Sequence, residues 1–203
     1  MVKIHTKNDD RLASPHGIAG YIDVETTGLN PAEDEIIEFA LYLFAFHRET
    51  GEIQCIVDEY VGLREPKRPI TRSAFLVHGI RAKDVAGQAL DAPRIRQMLQ
   101  QAEFLVAHNA SFDRGFVTQL FPESLAKPWL CSMRGINWRA KGIPRVSLQF
   151  LLQAHHIAVE KAHRAGDDVR GAIKLLTKTY QGKTYFAELL ERVPNNLEQP
   201  ASG

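Results

Sequence analysis

The sequence predicts an α/β domain with a mixed central sheet flanked by helices. Three observations carry that expectation. Residues 20–63 hold three apolar, aromatic-rich runs separated by turn residues. From residue 71 apolar positions recur at spacings of three and four. A short apolar stretch, "FLVAH" at 104–108, interrupts the helical part. Strands first, then helices with a strand between them, make a layered α/β pattern.

The elements follow in order. Residues 1–19 are a polar, flexible lead-in without the apolar core of a signal peptide. "GYIDVE" is a strand, and "TTGLNPAED" is a loop punctuated by Gly28 and Pro31. "EIIEFALYLFAFHRE" is a continuous apolar run, as in a strand covered on both faces. "ETGE" is a turn, and "IQCIVDEYVGL" is the returning strand of a hairpin. "APRIRQMLQQA" is a helix with Ile95, Met98 and Leu99 on one side. "NASFDRGFVTQLF" is a second, with Phe112, Phe116, Val117 and Leu120 together. "VSLQFLLQAHHI" and "DDVRGAIKLLTKTY" follow, the latter striped by Val169, Ala172, Ile173 and Leu176. "TYFAELLERV" closes a domain spanning 20–193, and 194–203 form a polar tail.

Composition bounds the function. The chain has 203 residues, enough for one domain with a sizeable core. It is 44% hydrophobic and 24% charged, as globular proteins are. A net charge of +1 argues against a strongly basic nucleic-acid coat but allows local basic patches. Two such patches are Arg64, Lys67, Arg68, Arg72, Arg81 and Lys83, and Lys127, Arg134, Arg139, Lys141 and Arg145. Two cysteines exclude a disulfide framework, and Cys55, in an apolar run, is expected in the core. No run of 18 apolar residues exists, so no membrane helix is expected and a cytoplasmic location is.

The acids inside apolar segments need a reason, because burying a lone charge is costly. In a strand, Tyr21, Asp23 and Glu25 point one way and Ile22 and Val24 the other. Two carboxylates about 7 Å apart on one face can grip a cation, or they can mark an exposed edge strand. Asp113 shares a helix face with Val117, or simply complements the helix dipole. In "HRAGDD", 163–168, His163 precedes a helix whose first turn holds Asp167 and Asp168, either of which can cap it. Together these segments supply several carboxylates and one histidine. Such hard oxygen ligands suit Mg²⁺ or Mn²⁺. Two such ions can clamp a phosphodiester, and a histidine, titrating near neutrality, can take a proton from the attacking water.

"DVETTGL" at 23–29, "AHNASFDRGF" at 107–116 and "HRAGDD" at 163–168 resemble, in order and spacing, the three motifs of the DnaQ-like, DEDDh-type 3′–5′ exonucleases. "DVETTGL" and "SAFLVHGI" look nearest to the proofreading epsilon subunit of bacterial DNA polymerase III and its stand-alone relatives. The resemblance implies an RNase H-like fold and two divalent cations, Mg²⁺ or Mn²⁺. It assigns Asp23, Glu25, Asp113 and Asp168 as metal-binding catalytic acids, and His163 as general base. Asp168, five residues after the histidine, is preferred to Asp167. It assigns Thr26, Leu29, His78, Asn109 and Phe112 to the terminal nucleotides.

The implied substrate is a single-stranded or frayed 3′ end, with DNA favoured over RNA. An RNA-directed relative of the oligoribonuclease or RNase T kind is the alternative, and a non-catalytic binding module the next. Little sequence follows the last helix, which counts against a stable polymerase partner. Gly166 stands where the family commonly has an apolar residue. Glycine loosens a helix start by up to about 1 kcal/mol, so a mobile His163 loop is expected.

Overall fold

The computed structural model describes residues 15–194. Its centre is a five-stranded sheet of β1 (His16–Thr26), β2 (Ile36–His47), β3 (Ile53–Leu63), β4 (Phe104–Ala107) and β5 (Trp129–Cys131), in the order β3-β2-β1-β4-β5. The first three strands are antiparallel, β4 runs parallel to β1, and β5 parallel to β4. The helices are α1 (Arg72–His78), α2 (Ala82–Val85), α3 (Ala92–Gln101), α4 (Ala110–Leu120), α5 (Ser132–Gly135), α6 (Leu148–Ala154), α7 (Ala165–Leu176) and α8 (Tyr185–Leu190). A small hairpin, β6 (Thr179–Tyr180) and β7 (Lys183–Thr184), precedes α8. This is the mixed sheet flanked by helices that the sequence predicts.

Each face of the sheet carries its own core. Tyr21, Tyr42, Phe44 and Phe46 pack with Val169, Ala172, Ile173 and Leu176 of α7 and with Phe186 of α8. Ile22, Val24, Phe39 and Leu41 point the other way, against Ile95, Met98 and Leu99 of α3 and Phe116 and Val117 of α4. The strict alternation of β1 therefore sends Asp23 and Glu25 toward the α7 face. β2 is buried from Ile36 to Phe44, because helices cover both sides of it.

Several expectations need adjusting. β1 begins at His16, inside the stretch read as lead-in; residues 1–14 and the tail from 195 lie outside the described residues. β5, β6 and β7 are too short to carry a period of their own. Cys55 is exposed rather than in the core. It lies on the edge strand β3, near a register irregularity at Leu43/Phe44, and the adjacent Ile56 and Val57 are exposed with it. Gly166 has a packing reason. A Cβ there would lie 2.8 Å from Val61 Cγ2, so glycine lets α7 approach β3 closely.

Candidate active site

The site lies where β1 outruns its parallel neighbour. β1 pairs with β4 only at Ala19–Tyr21, so Asp23 and Glu25 sit beyond the end of that ladder. Clefts at the carboxyl ends of parallel strands are where such sheets bind ligands. After Ala107 the chain turns through Asn109, held in the left-handed region (φ 67°), into α4. Asparagine tolerates this conformation better than most residues. The first turn of α4 then brings in Asp113, which is 2% exposed. From the α7 face comes Asp168, also buried, in the first turn of its helix.

Neither Asp167 nor Asp168 caps α7. The N-cap is Arg164, and the buried Glu38 of β2 accepts from the Ala165 backbone N–H at 3.0 Å. Arg164 Nε donates to both Glu38 oxygens at 3.0 Å, and its Nη2 completes the ion pair. Glu38 is the cross-strand partner of Glu25, so this pair welds the start of α7 to the acidic strand. Sequence reasoning passed over Glu38 and Arg164. An acid within an otherwise apolar run was the available signal.

The carboxyl groups act on one another. Burial pushes the Asp23 carboxyl well above its usual range, and Asp113, Glu25, Asp168 and Glu38 push it further. Burial raises Glu25 to about 8, helped by Asp168, Glu38 and Asp113 and opposed by Arg164. Burial raises Asp113 to about 8, against the backbones of Asp113 and Val24. Burial also raises Asp168, against a hydrogen bond from Gln149 and the nearness of His163. The four expected acids are thus one electrostatic cluster.

His163 joins it. Ligand atoms of Glu25, His163 and Asp168 all lie within 4.8 Å of one another. The His163 backbone N–H donates to Asp168 Oδ2 at 3.2 Å, and the residue is held at φ 58°. A left-handed non-glycine residue costs about 1–2 kcal/mol, which the surrounding contacts must offset.

The donor set fits hard divalent cations. Acids this close cannot all ionise in a buried place without added positive charge, and Arg164, which reaches them, is committed to Glu38.

Beside the acids opens a largely apolar pocket of about 230 Å³. Thr26, Leu29, His78 and Phe112 line it with Glu25 and Val77. Leu29 is 82% exposed and therefore not a core residue. His78 ends α1 and accepts the Ile80 N–H on Nδ1 at 2.9 Å. Its proton therefore sits on Nε2, which is buried near the Thr26 backbone without a well-formed hydrogen bond. Asn109 is placed at the α4 N-cap rather than in the pocket lining.

The basic patches divide. Arg64 pairs with Glu35, Arg81 with Asp84 and Lys141 with Glu188, and Lys127 donates to the Ala102 carbonyl. Lys67, Arg68, Arg72, Lys83, Arg134 and Arg139 are in no ion pair among the described residues. Among the described residues no helix is long and apolar enough to cross a membrane.

Comparison with known proteins identifies the family. The family described as Exonuclease (RNase T) matches residues 21–176. A PolC-type DNA polymerase III from Oceanobacillus iheyensis is 30% identical over 187 residues, 87% of this chain. The chain spans 7–12% of the length of the PolC relatives it matches. Among solved structures, E. coli Exonuclease I in complex with a dT13 oligonucleotide superposes with a TM-score of 0.61 at 20% identity. That match covers 79% of this chain and 40% of the other. Exonuclease X in complex with 5′ overhanging duplex DNA gives 0.55 at 25% identity, covering 83% of this chain and 99% of that one. Those two folds are exonuclease folds of the RNase H-like kind, and the family match spans all three acidic motifs and the pocket. The chain belongs to the exonuclease family.

Proposed function

We propose that this chain is a metal-dependent 3′–5′ exonuclease that removes nucleoside 5′-monophosphates from single-stranded or frayed DNA 3′ ends. The convergence of Asp23, Glu25, Asp113 and Asp168 with His163 beside an apolar pocket supports the reading. Binding a strand would not need four mutually repelling carboxylates and a histidine.

In this mechanism Asp23, Glu25, Asp113 and Asp168 would hold two divalent cations. Such a pair would supply activation of a water and neutralisation of charge on the phosphate. Phe112 offers a face on which the terminal base can stack, and Leu29 separates it from the next. The His78 Nε2–H donates to the nucleotide, and the Thr26 backbone lines the same pocket. His163 takes the proton from the attacking water. Lys67 and Arg68 just before the pocket-lining helix α1, Arg72 at its start and Lys83 just after it hold backbone phosphates without reading sequence.

DNA is the favoured substrate because the PolC relatives are DNA polymerases and Exonuclease X, at 25% identity, holds 5′ overhanging duplex DNA. The PolC relatives carry the matching segment within a far longer polymerase, so a polymerase partner is compatible with this chain. The deciding experiment digests 5′-end-labelled DNA and RNA oligomers with Mg²⁺, Mn²⁺ or chelator. A ladder shortening from the 3′ end, faster on DNA and abolished by chelator, is expected. Internal cutting or shortening from the 5′ end would refute the assignment, and faster RNA digestion would move the substrate to RNA.

A further inference from the structure

We infer that Gln149 is a positioning residue for Asp168, and that a clasp between His108 and Val146 holds Gln149 in register. Gln149 Nε2 donates to Asp168 Oδ1 at 2.7 Å. The other carboxylate oxygen accepts the His163 N–H at 3.2 Å. With both oxygens tied, the plane of the Asp168 carboxylate is set before any cation arrives.

Helix packing explains the reach of Gln149. α6 and α7 meet where Leu152 rests on Gly171. A Cβ at Gly171 would lie 3.0 Å from Leu152 Cδ1 and 2.8 Å from Val159 Cγ1. Gln149 and Asp168 each stand three residues earlier on their helices, so they face each other one turn away. The close approach at Gly171 brings the amide to the carboxylate.

α6 cannot hold itself. It has seven residues, and its N-cap Ser147 makes no side-chain capping bond. Helices this short are not stable alone, so register must come from outside. The Val146 carbonyl, just before that cap, accepts from His108 Nε2 at 2.7 Å. A carbonyl only accepts, so the His108 proton sits on Nε2. Nδ1 then accepts from the Ser132 hydroxyl at 2.9 Å, and Ser132 accepts from the Tyr21 hydroxyl at 3.0 Å. Burial lowers the His108 pKa, in keeping with this neutral ring. The chain of bonds runs from the acidic strand β1, through the residue that precedes Asn109, to the segment that carries Gln149.

The test compares the full chain with Gln149→Met, His108→Asn and His108→Gln. Methionine keeps the volume of Gln149 and removes the donor. Asparagine at 108 cannot reach Val146, whereas the longer glutamine amide can. Mn²⁺ alone, titrated by calorimetry, is the first readout. Gln149→Met and His108→Asn are expected to bind Mn²⁺ about tenfold more weakly, in line with other groups that orient metal ligands. Melting of Gln149→Met in chelator should be unchanged, and His108→Gln should restore the affinity that His108→Asn loses. On a single-stranded oligonucleotide, Gln149→Met should lower kcat and leave KM unchanged.

The kinetic arm rests on the exonuclease reading; the Mn²⁺ arm does not. A wild-type chain that cuts no oligonucleotide while Gln149→Met still weakens Mn²⁺ binding removes the exonuclease reading and keeps this inference. Wild-type Mn²⁺ affinity in Gln149→Met overturns the inference. So does a fall in the melting temperature of Gln149→Met that accompanies its loss of affinity, or a His108→Gln protein that binds Mn²⁺ no better than His108→Asn.

Discussion

Raising the pH from 6 to 8 in the presence of a chelator should destabilise this protein, and Glu25 sets the scale. Its carboxyl is raised from 4.5 to about 8, first by burial and then by Asp168, Glu38 and Asp113. The unfolded chain ionises this group freely above pH 5, whereas the fold keeps it protonated at pH 6. A group raised in the fold contributes stability that is full below its unfolded pKa and lost as pH climbs through the folded one. Over pH 6 to 8 the folded state thus releases its extra proton, at about 1.4 kcal/mol per unit until half-ionisation. The loss from Glu25 alone is about 2 kcal/mol. For a chain of this size that lowers the melting temperature by roughly 4–8 °C. Asp113, also raised to about 8, adds in the same direction.

Calorimetric melting in EDTA at pH 6, 7 and 8 measures the effect. Glu25→Gln should remove about 2 kcal/mol of the pH dependence. Mg²⁺ should raise the melting temperature more at pH 8 than at pH 6, because the ligands must shed their protons to bind it. A chelated protein whose melting temperature is flat or rising from pH 6 to 8 would refute the clustering of buried acids.

Other outcomes follow from the same geometry. Asp23→Asn should abolish hydrolysis and, by relieving repulsion, leave melting in chelator at pH 8 unchanged or raised; retained nuclease activity would end the two-cation assignment. His163→Ala should cut kcat by about 10²–10⁴-fold and spare Mn²⁺ affinity, and a loss of affinity instead would make His163 a ligand. Arg164→Ala leaves Glu38 buried and unpaired, and should destabilise by roughly 3–5 kcal/mol in denaturant titration; a change below 1 kcal/mol would show that the pair does not anchor α7. Gly166→Val should cost about 1–3 kcal/mol through contact with Val61, whereas a neutral result would return Gly166 to a flexibility role.

Local pattern carried much of this protein. Period-two alternation placed Asp23 and Glu25 on one face of β1, and the coordinates send that face toward α7. The unbroken apolar run of β2 announced a strand covered on both sides. The stripes Ile95, Met98, Leu99 and Val169, Ala172, Ile173, Leu176 are the core faces of α3 and α7. Each of these signals lies within about a dozen residues, where spacing alone decides which side chains share a face.

Tertiary structure decided the rest, because it depends on contacts between distant parts of the chain. Glu38 meets the start of α7 across 127 residues, and no local pattern reveals that its charge is matched there. Asp168 read equally well as a helix cap until β1, α4 and α7 brought four acids into one cluster. Cys55 sat in an apolar run, yet an edge strand buries less than a central one, and strand order is not written in one strand's composition. Nothing in its local sequence marks Gln149; only the close approach of α6 to Gly171 puts its amide on Asp168. Spacing along the chain chooses a side chain's face, whereas its electrostatic partner is chosen by whatever the folded chain packs against that face.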